Sequence, residues 1–225
     1  MKNEQGREQD TMIVLAGMIG AGKSSYTEMI ARKLGTEAFY EEVDNNPILD
    51  KFYEDPKRWA FSLQIYFLNK RFRSIKQALF DANNVLDRSI YEDALFTRVN
   101  NMQGNISDVD LQIYNDLLDN MMQEIDSLPK KAPDLLIYLD ADFDTILAHI
   151  KKRGRSYEQV DDDPELLEYY KLLYSEYEKW YDEYHYSPKI KISVDEYDIV
   201  EDPSNEDKVM EIIKKALEEA RQIEK

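Results

Sequence analysis

The chain contains no cysteine and only two histidines, His149 and His185. No disulfide framework, thiolate metal site or cysteine nucleophile is therefore available. Two imidazoles are too few for a histidine-built zinc centre, so a bound metal would have to rest on oxygen ligands. Positive charge is in short supply as well: 29 Lys and Arg face 46 Asp and Glu, a formal net charge of -17. A surface of that sign repels a polyphosphate backbone, which excludes nucleic acid as an expected partner and leaves only small anions where cations are concentrated locally. No apolar run approaches the roughly 20 residues that a bilayer crossing needs. The stretch Met1 to Thr11 is polar and has no apolar segment of the kind a secretory signal requires, so a cytoplasmic protein is expected. Glycine is also scarce, seven in all, yet three of the seven, Gly17, Gly20 and Gly22, crowd into a single short stretch.

What the chain does contain is a series of short apolar runs separated by long helical patterns. Residues 1–11 read as a disordered extension, with Met12 as an alternative start, and 12–225 as one domain without internal repeat or linker. Strands are expected at Met12–Ala16, Ala38–Glu42, Asn84–Asp87, Leu135–Leu139 and Ile190–Val194. Helices are expected at Lys23–Leu34, closed by Gly35, and at Pro56–Phe80, Ile90–Met102, Ser107–Leu128, Asp142–Arg153, Pro164–Tyr184 and from Asn205 to the C-terminus. Strands separated by helices of this length pair in parallel through right-handed crossovers and bind ligands at their carboxyl ends. The expected fold is α/β, a central parallel sheet of about five strands flanked by helices.

The glycine cluster belongs to Gly17-Met18-Ile19-Gly20-Ala21-Gly22-Lys23-Ser24, which matches G-x-x-x-x-G-K-[ST] after a buried strand and before a helix. In such a phosphate loop the backbone N–H groups, with Ser25 following, curl around a phosphate and the helix N-terminus adds partial positive charge. Lys23 reaches the transferring phosphate and the Ser24 hydroxyl ligates Mg²⁺. The bland alternative is a glycine turn with a chance lysine. Asn69-Lys70-Arg71-Phe72 begins like a guanine-reading N-K-x-D but lacks the acid and lies within a helix, which disfavours a GTPase. Asp140 after Leu135–Leu139 mimics a metal-binding strand end, although a strand that ends on an acidic helix cap explains it more cheaply.

A second cluster, Val85-Leu86-Asp87-Arg88-Ser89, puts an acid, an arginine and a hydroxyl at the expected carboxyl end of a strand, facing the ligand crevice. Asp87 would reach Mg²⁺ directly or through water, and Arg88 would neutralise charge near the reacting oxygen. The alternative is a structural ion pair between the two. With the phosphate loop, this cluster resembles the deoxyribonucleoside kinase family from Ile13 to about Ile199. Glu41-Glu42-Val43 looks like that family's Glu-x-Val, which implies Glu41 as general base toward a sugar 5'-hydroxyl; Glu42 stands where many members have proline. Tyr53 and Glu158 match the pair that holds the 3'-hydroxyl, and Gln64 matches the glutamine that hydrogen-bonds the base.

Arg71 and Asp93 fall where members that accept purines or cytosine carry an Arg-Asp pair, and a guanidinium fork held by a carboxylate presents directed donors to a base edge. Phe67 and Phe96, with Trp59, are candidates to stack on the base, although each alone suits a core equally well. The wording Asn46-Pro47-Ile48-Leu49-Asp50-Lys51-Phe52-Tyr53, Asp87-Arg88-Ser89-Ile90-Tyr91-Glu92-Asp93 and Asp195-Glu196-Tyr197-Asp198 is similar to bacterial members acting on deoxyadenosine, some of which also accept deoxycytidine; deoxyguanosine is chemically close. Arg153 and Arg155, in Lys151-Lys152-Arg153-Gly154-Arg155, read as a lid over about 151–163 that closes on the donor phosphates and excludes water, with a cation-favoured helix end as the alternative. The loop with Asp195 and Tyr197 resembles the one that receives the donor base. The resemblance implies ATP or another triphosphate as donor, Mg²⁺, a small deoxynucleoside acceptor and a homodimer. The competing readings are a nucleoside monophosphate kinase, which Glu41 disfavours because it would repel an acceptor phosphate, and a nucleotide-binding regulator without turnover.

Overall fold

The apolar run ahead of the glycine cluster becomes the central strand of a sheet. The computed structural model describes residues 11–40, 46–78, 83–126 and 132–223. Among them, five strands, β1 (Thr11–Ala16), β2 (Glu37–Phe39), β3 (Asn83–Asp87), β4 (Leu135–Asp140) and β5 (Lys189–Ser193), pair throughout in parallel in the order β2-β3-β1-β4-β5. Strands of a parallel sheet are covered on both faces and therefore read as continuous apolar runs rather than alternating ones. Ile13 and Leu15 of β1 and Leu136 and Ile137 of β4 are fully buried, which is why these two are the plainest strands in the sequence.

The helices are α1 (Lys23–Leu34), α2 (Leu49–Glu54), α3 (Pro56–Ala78), α4 (Ile90–Met102), α5 (Asp108–Asp126), α6 (Phe143–Arg153), α7 (Pro164–Glu183) and α8 (Asn205–Ile223), with one turn of 3-10 helix at Ser156–Glu158. Gly35 closes α1 in the left-handed region, φ 65°, and returns its N–H to the Ala31 and Arg32 carbonyls. A capping box opens α4: the Ser89 hydroxyl accepts from the Tyr91 N–H and the Glu92 carboxylate from the Ser89 N–H. The Trp180 indole donates to the Tyr91 carbonyl at 2.9 Å, tying α7 to α4, and the Tyr138 and Tyr177 rings stack at 5.9 Å, tying α7 to β4.

The structure departs from the expectations of the sequence in three places. The first strand starts at Thr11, whose N–H donates to Asn83 Oδ1 and whose hydroxyl accepts from Arg221, so this residue belongs to the sheet and not to an extension. The helix α2 is absent from the expected elements, because six residues are too few to establish a period. Asp140 caps no helix: its carboxylate faces Lys191 on the neighbouring strand at 3.6 Å. The start of α6 is instead tied down from a distance by Asp195, which accepts from the Asp142 N–H and the Thr145 hydroxyl. The extension Met1 to Asp10, Glu41 to Val43, Leu79, Phe80, Ser127 and Leu128 lie outside the described residues. No described helix is long and apolar enough to cross a membrane.

Candidate active site

The carboxyl ends of β1 and β3 lie side by side, with Leu15 and Asp87 as register partners. The turns that leave the two strands therefore face one crevice. After β1, the chain must turn back into α1 within six residues, and the backbone there allows little choice. Gly17 has φ 149°, and a Cβ on it would meet the Leu139 carbonyl at 2.8 Å; Gly20 has φ 86°, and a Cβ on it would meet the Ile146 carbonyl at 2.9 Å. Ala21 is fully buried and lets the loop close, its N–H donating to the Met18 carbonyl. Lys23 opens α1, is buried, and donates to the Gly17 and Met18 carbonyls at 2.6 and 2.9 Å. The ammonium thus sits inside the curl of the loop, where the helix N-terminus also favours an anion.

After β3, the buried Asp87 accepts from the Ser24 hydroxyl at 2.5 Å, joining the two strand ends. An alcohol beside a carboxylate is a hard, all-oxygen donor set of the kind Mg²⁺ takes, since that ion keeps several waters and needs only one or two protein ligands. No group of three or more His, Cys, Asp or Glu suited to a metal ion gathers among the described residues. Arg88 follows with φ 100°, a left-handed conformation that costs a residue with a Cβ about 1–2 kcal/mol. Its guanidinium pairs with Glu92 at 3.3 Å, meets the Tyr177 hydroxyl at 3.4 Å and lies 4.6 Å from the centre of the Phe96 ring. The strain has a geometric result: it aims one side chain of the strand end at the loop and the next into the crevice.

Both ends open into one cavity of about 610 Å³, within the range of small-molecule sites. On α3, Gln64, Phe67 and Arg71 recur at spacings of three and four and share the face that lines it; on α4, Asp93 and Phe96 do the same. Arg71 Nε and Asp93 Oδ2 are 2.8 Å apart and both side chains are buried, so the fork enters the cavity already braced. Tyr53 and Glu158 also line the wall, and Tyr53 stacks on Tyr157 at 5.1 Å. Burial pushes the Tyr53 phenol well above its ordinary value and that of Tyr169 up to about 12, so both remain neutral hydrogen-bonding groups.

In the same wall, Arg153 and Arg155 converge on the buried Glu158 carboxylate at 2.5 and 3.5 Å. The same wall carries Ser25, His149, Val194, Asp198 and Glu201. His149 contacts the Gly20 carbonyl through Nδ1 at 2.9 Å.

The structure thus brings together Gly20, Gly22, Lys23, Ser24, Ser25, Tyr53, Gln64, Phe67, Arg71, Asp87, Arg88, Asp93, Phe96, Arg153, Arg155 and Glu158. Gly17 and Ala21 shape the loop from behind. Asp195 and Tyr197 stand off the cavity wall. The Asp195 carboxylate accepts from the Asp142 N–H at 2.8 Å and the Thr145 hydroxyl at 2.5 Å, and Tyr197 offers its carbonyl to the Tyr26 hydroxyl. Trp59 is occupied by the cations of Lys51 and Arg58 over its ring. Arg88 pairs with Glu92, a residue that in sequence is one more first-turn acid. The S-x-x-E spacing of Ser89 and Glu92 is the available signal, but it announces a cap, not a partner for Arg88. Glu41 lies outside the described residues.

Comparison with known proteins gives the family. A family model described as deoxynucleoside kinase matches residues 13–218. A deoxyguanosine kinase of Lactobacillus johnsonii is 52% identical over 95% of this chain and 96% of its own length. A deoxyadenosine kinase of Lactobacillus acidophilus is 50% identical over 94% of this chain and 97% of its own. Among solved structures, deoxyadenosine kinase from M. mycoides with bound dCTP superposes with a TM-score of 0.77 at 30% identity, covering 91% of this chain and all of the other.

Proposed function

Starting from the fact that the chain belongs to the deoxynucleoside kinase family, we propose that it transfers the γ-phosphoryl group of MgATP to the 5'-hydroxyl of a 2'-deoxynucleoside, deoxyadenosine foremost, with deoxycytidine or deoxyguanosine as further acceptors, in nucleotide salvage in the cytoplasm. The observation that carries this reading is the braced Arg71–Asp93 pair in the same cavity as the phosphate loop. The guanidinium donates to a ring nitrogen or carbonyl of the base and the carboxylate accepts from an exocyclic amino group, a combination that thymine cannot satisfy. Phe67 and Phe96 flank the ring, and Gln64 adds a hydrogen bond at its edge. Tyr53 and Glu158 hold the 3'-hydroxyl and so fix the sugar's orientation.

Glu41 accepts the 5'-hydroxyl proton as that oxygen attacks the γ-phosphorus and the bond to the β-phosphate oxygen breaks, releasing ADP. Arg88 stabilises charge at the acceptor end, while Lys23 and the loop N–H groups hold the donor phosphates. Ser24 and Asp87 would hold Mg²⁺, which when bound neutralises charge on the phosphates. Arg153 and Arg155 exchange part of their pairing with Glu158 for the phosphates as the lid closes, and Val194, Asp198 and Glu201 border the donor base. Self-association into a homodimer draws support from α5, where Val109 and Ile113, one helical turn apart, are 67% and 51% exposed.

Deoxyguanosine is the second reading, favoured by the relative of that name at 52% identity. The test is ADP release from MgATP with deoxyadenosine, deoxyguanosine, deoxycytidine, thymidine and dAMP offered separately, with Glu41→Gln as control. Preference for deoxyadenosine, lost in the control, supports the reading; preference for deoxyguanosine keeps the mechanism and reassigns the base. Turnover only with dAMP overturns both.

A further inference from the structure

Glu92 is completely buried, carries a carboxylate, and has no part in the mechanism above. Its surroundings are all donors. Oε1 accepts from the Gly17 N–H at 3.1 Å, from the Tyr177 hydroxyl at 2.5 Å and from Arg88 Nη1 at 3.3 Å; Oε2 accepts from the Ser89 N–H at 3.3 Å. These groups come from the start of the phosphate loop, from α7, and from the strained turn at the end of β3. Three of these donors crowd onto Oε1 and one meets Oε2, so an acceptor is needed on both oxygens to meet all four. A helix cap needs only the Ser89 contact. The other three, 75, 85 and 4 residues away in sequence, are surplus to capping.

Resting on the assignment of Arg88 to the reacting end, we propose that Glu92, braced by Tyr177, is a positioning residue that fixes the Arg88 guanidinium relative to the first peptide of the phosphate loop. Arg88 is held by a backbone conformation that L-residues seldom adopt and by a side chain whose other face rests on Phe96. Glu92 closes the remaining freedom. Because the same oxygen also holds the Gly17 N–H, the groups that stabilise the donor and acceptor sides of the transfer share one buried anchor. Tyr177 serves as the brace: burial, reinforced by Glu92, pushes its phenol well above the ordinary value, so it stays a proton donor at every working pH.

The test compares wild type, Glu92→Gln, Tyr177→Phe, Arg88→Lys and the double variant Glu92→Gln/Arg88→Lys, with kcat referred to folded enzyme and thermal unfolding recorded beside it. Glutamine keeps the volume but removes the charge that Arg88 pairs with, and its NH₂ faces either the Ser89 N–H or the three donors on Oε1. The expected result is a kcat lowered about tenfold or more in Glu92→Gln, with KM for MgATP and nucleoside within about threefold, and a smaller loss in Tyr177→Phe. In the Arg88→Lys background the Glu92 substitution should cost less than about threefold, because the residue it positions has already lost its fork. A full multiplicative loss in the double variant, or a kcat within about twofold of wild type in Glu92→Gln, overturns the proposal and leaves Glu92 a cap. If Glu92→Gln does not fold, Tyr177→Phe with and without Arg88→Lys decides by the same criterion; if neither folds, the cluster serves stability alone and the proposal falls. Absence of turnover in wild type would instead overturn the kinase reading.

Discussion

The chain holds ion pairs of two kinds. At the end proposed for the acceptor, the ion pairs Arg71–Asp93 and Arg88–Glu92 are buried on both partners, with at most 6% of any of these side chains exposed. In the segment proposed as the lid, Lys151–Asp161 and Lys152–Glu201 are about two-thirds exposed, and Arg153 and Arg155, 35% and 25% exposed, meet the buried Glu158. Buried pairs cost several kcal/mol in desolvation and are retained only with excellent geometry, whereas exposed pairs form and break almost freely. The buried pairs are therefore held in place before any ligand arrives, whereas the exposed pairs of the lid segment can exchange partners at little cost.

That contrast can be broken by removing one partner at each depth. Asp93→Asn should show the largest effect: it leaves the Arg71 guanidinium buried without its carboxylate, and unfolding in denaturant should show a loss of about 3–5 kcal/mol, together with weakened discrimination among bases. Arg153→Ala removes a half-buried donor from Glu158 while Arg155 remains, so a loss of about 1–2 kcal/mol is expected, with KM for MgATP rising more than KM for the nucleoside. Lys152→Ala should be the least costly, with a denaturant midpoint indistinguishable from wild type, because its pair with Glu201 is exposed to water and screened by salt. An Asp93→Asn variant as stable as Lys152→Ala would remove the distinction between the two kinds.

The sheet is legible in the sequence because buried parallel strands write themselves as apolar runs, and α1 is legible to the residue because a glycine pair, Gly22 and Gly35, brackets it. The phosphate loop and the Asp87-Arg88-Ser89 turn are readable for the same reason: their chemistry is contiguous. What escapes is built by contacts between distant segments. Asp195 meets the start of α6 across 53 residues, and Glu92 meets Tyr177 across 85, so neither acid differs locally from the many solvated acids of this chain. Helix α2 escapes through brevity. In sequence, Arg153, Arg155 and Glu158 read as separate functions, and their mutual pairing becomes visible only when the 3-10 turn brings the arginines and the carboxylate together.

The register of β1 against β3 works as a ruler. Leu15 and Asp87 stand directly opposite each other, and neighbouring strands are held about 4.8 Å apart by their shared ladder of backbone hydrogen bonds. The distance between the loop after one strand and the acid after the other is thus graduated in peptide units and cannot drift continuously. Inserting a single residue into β3 would turn Asp87 to the opposite face of the sheet and carry Arg88 with it. The cavity-lining side chains of α3 and α4, by contrast, can change without disturbing that scale. The molecule separates what must be measured from what may be chosen, and assigns the first to its most rigid hydrogen-bonded element.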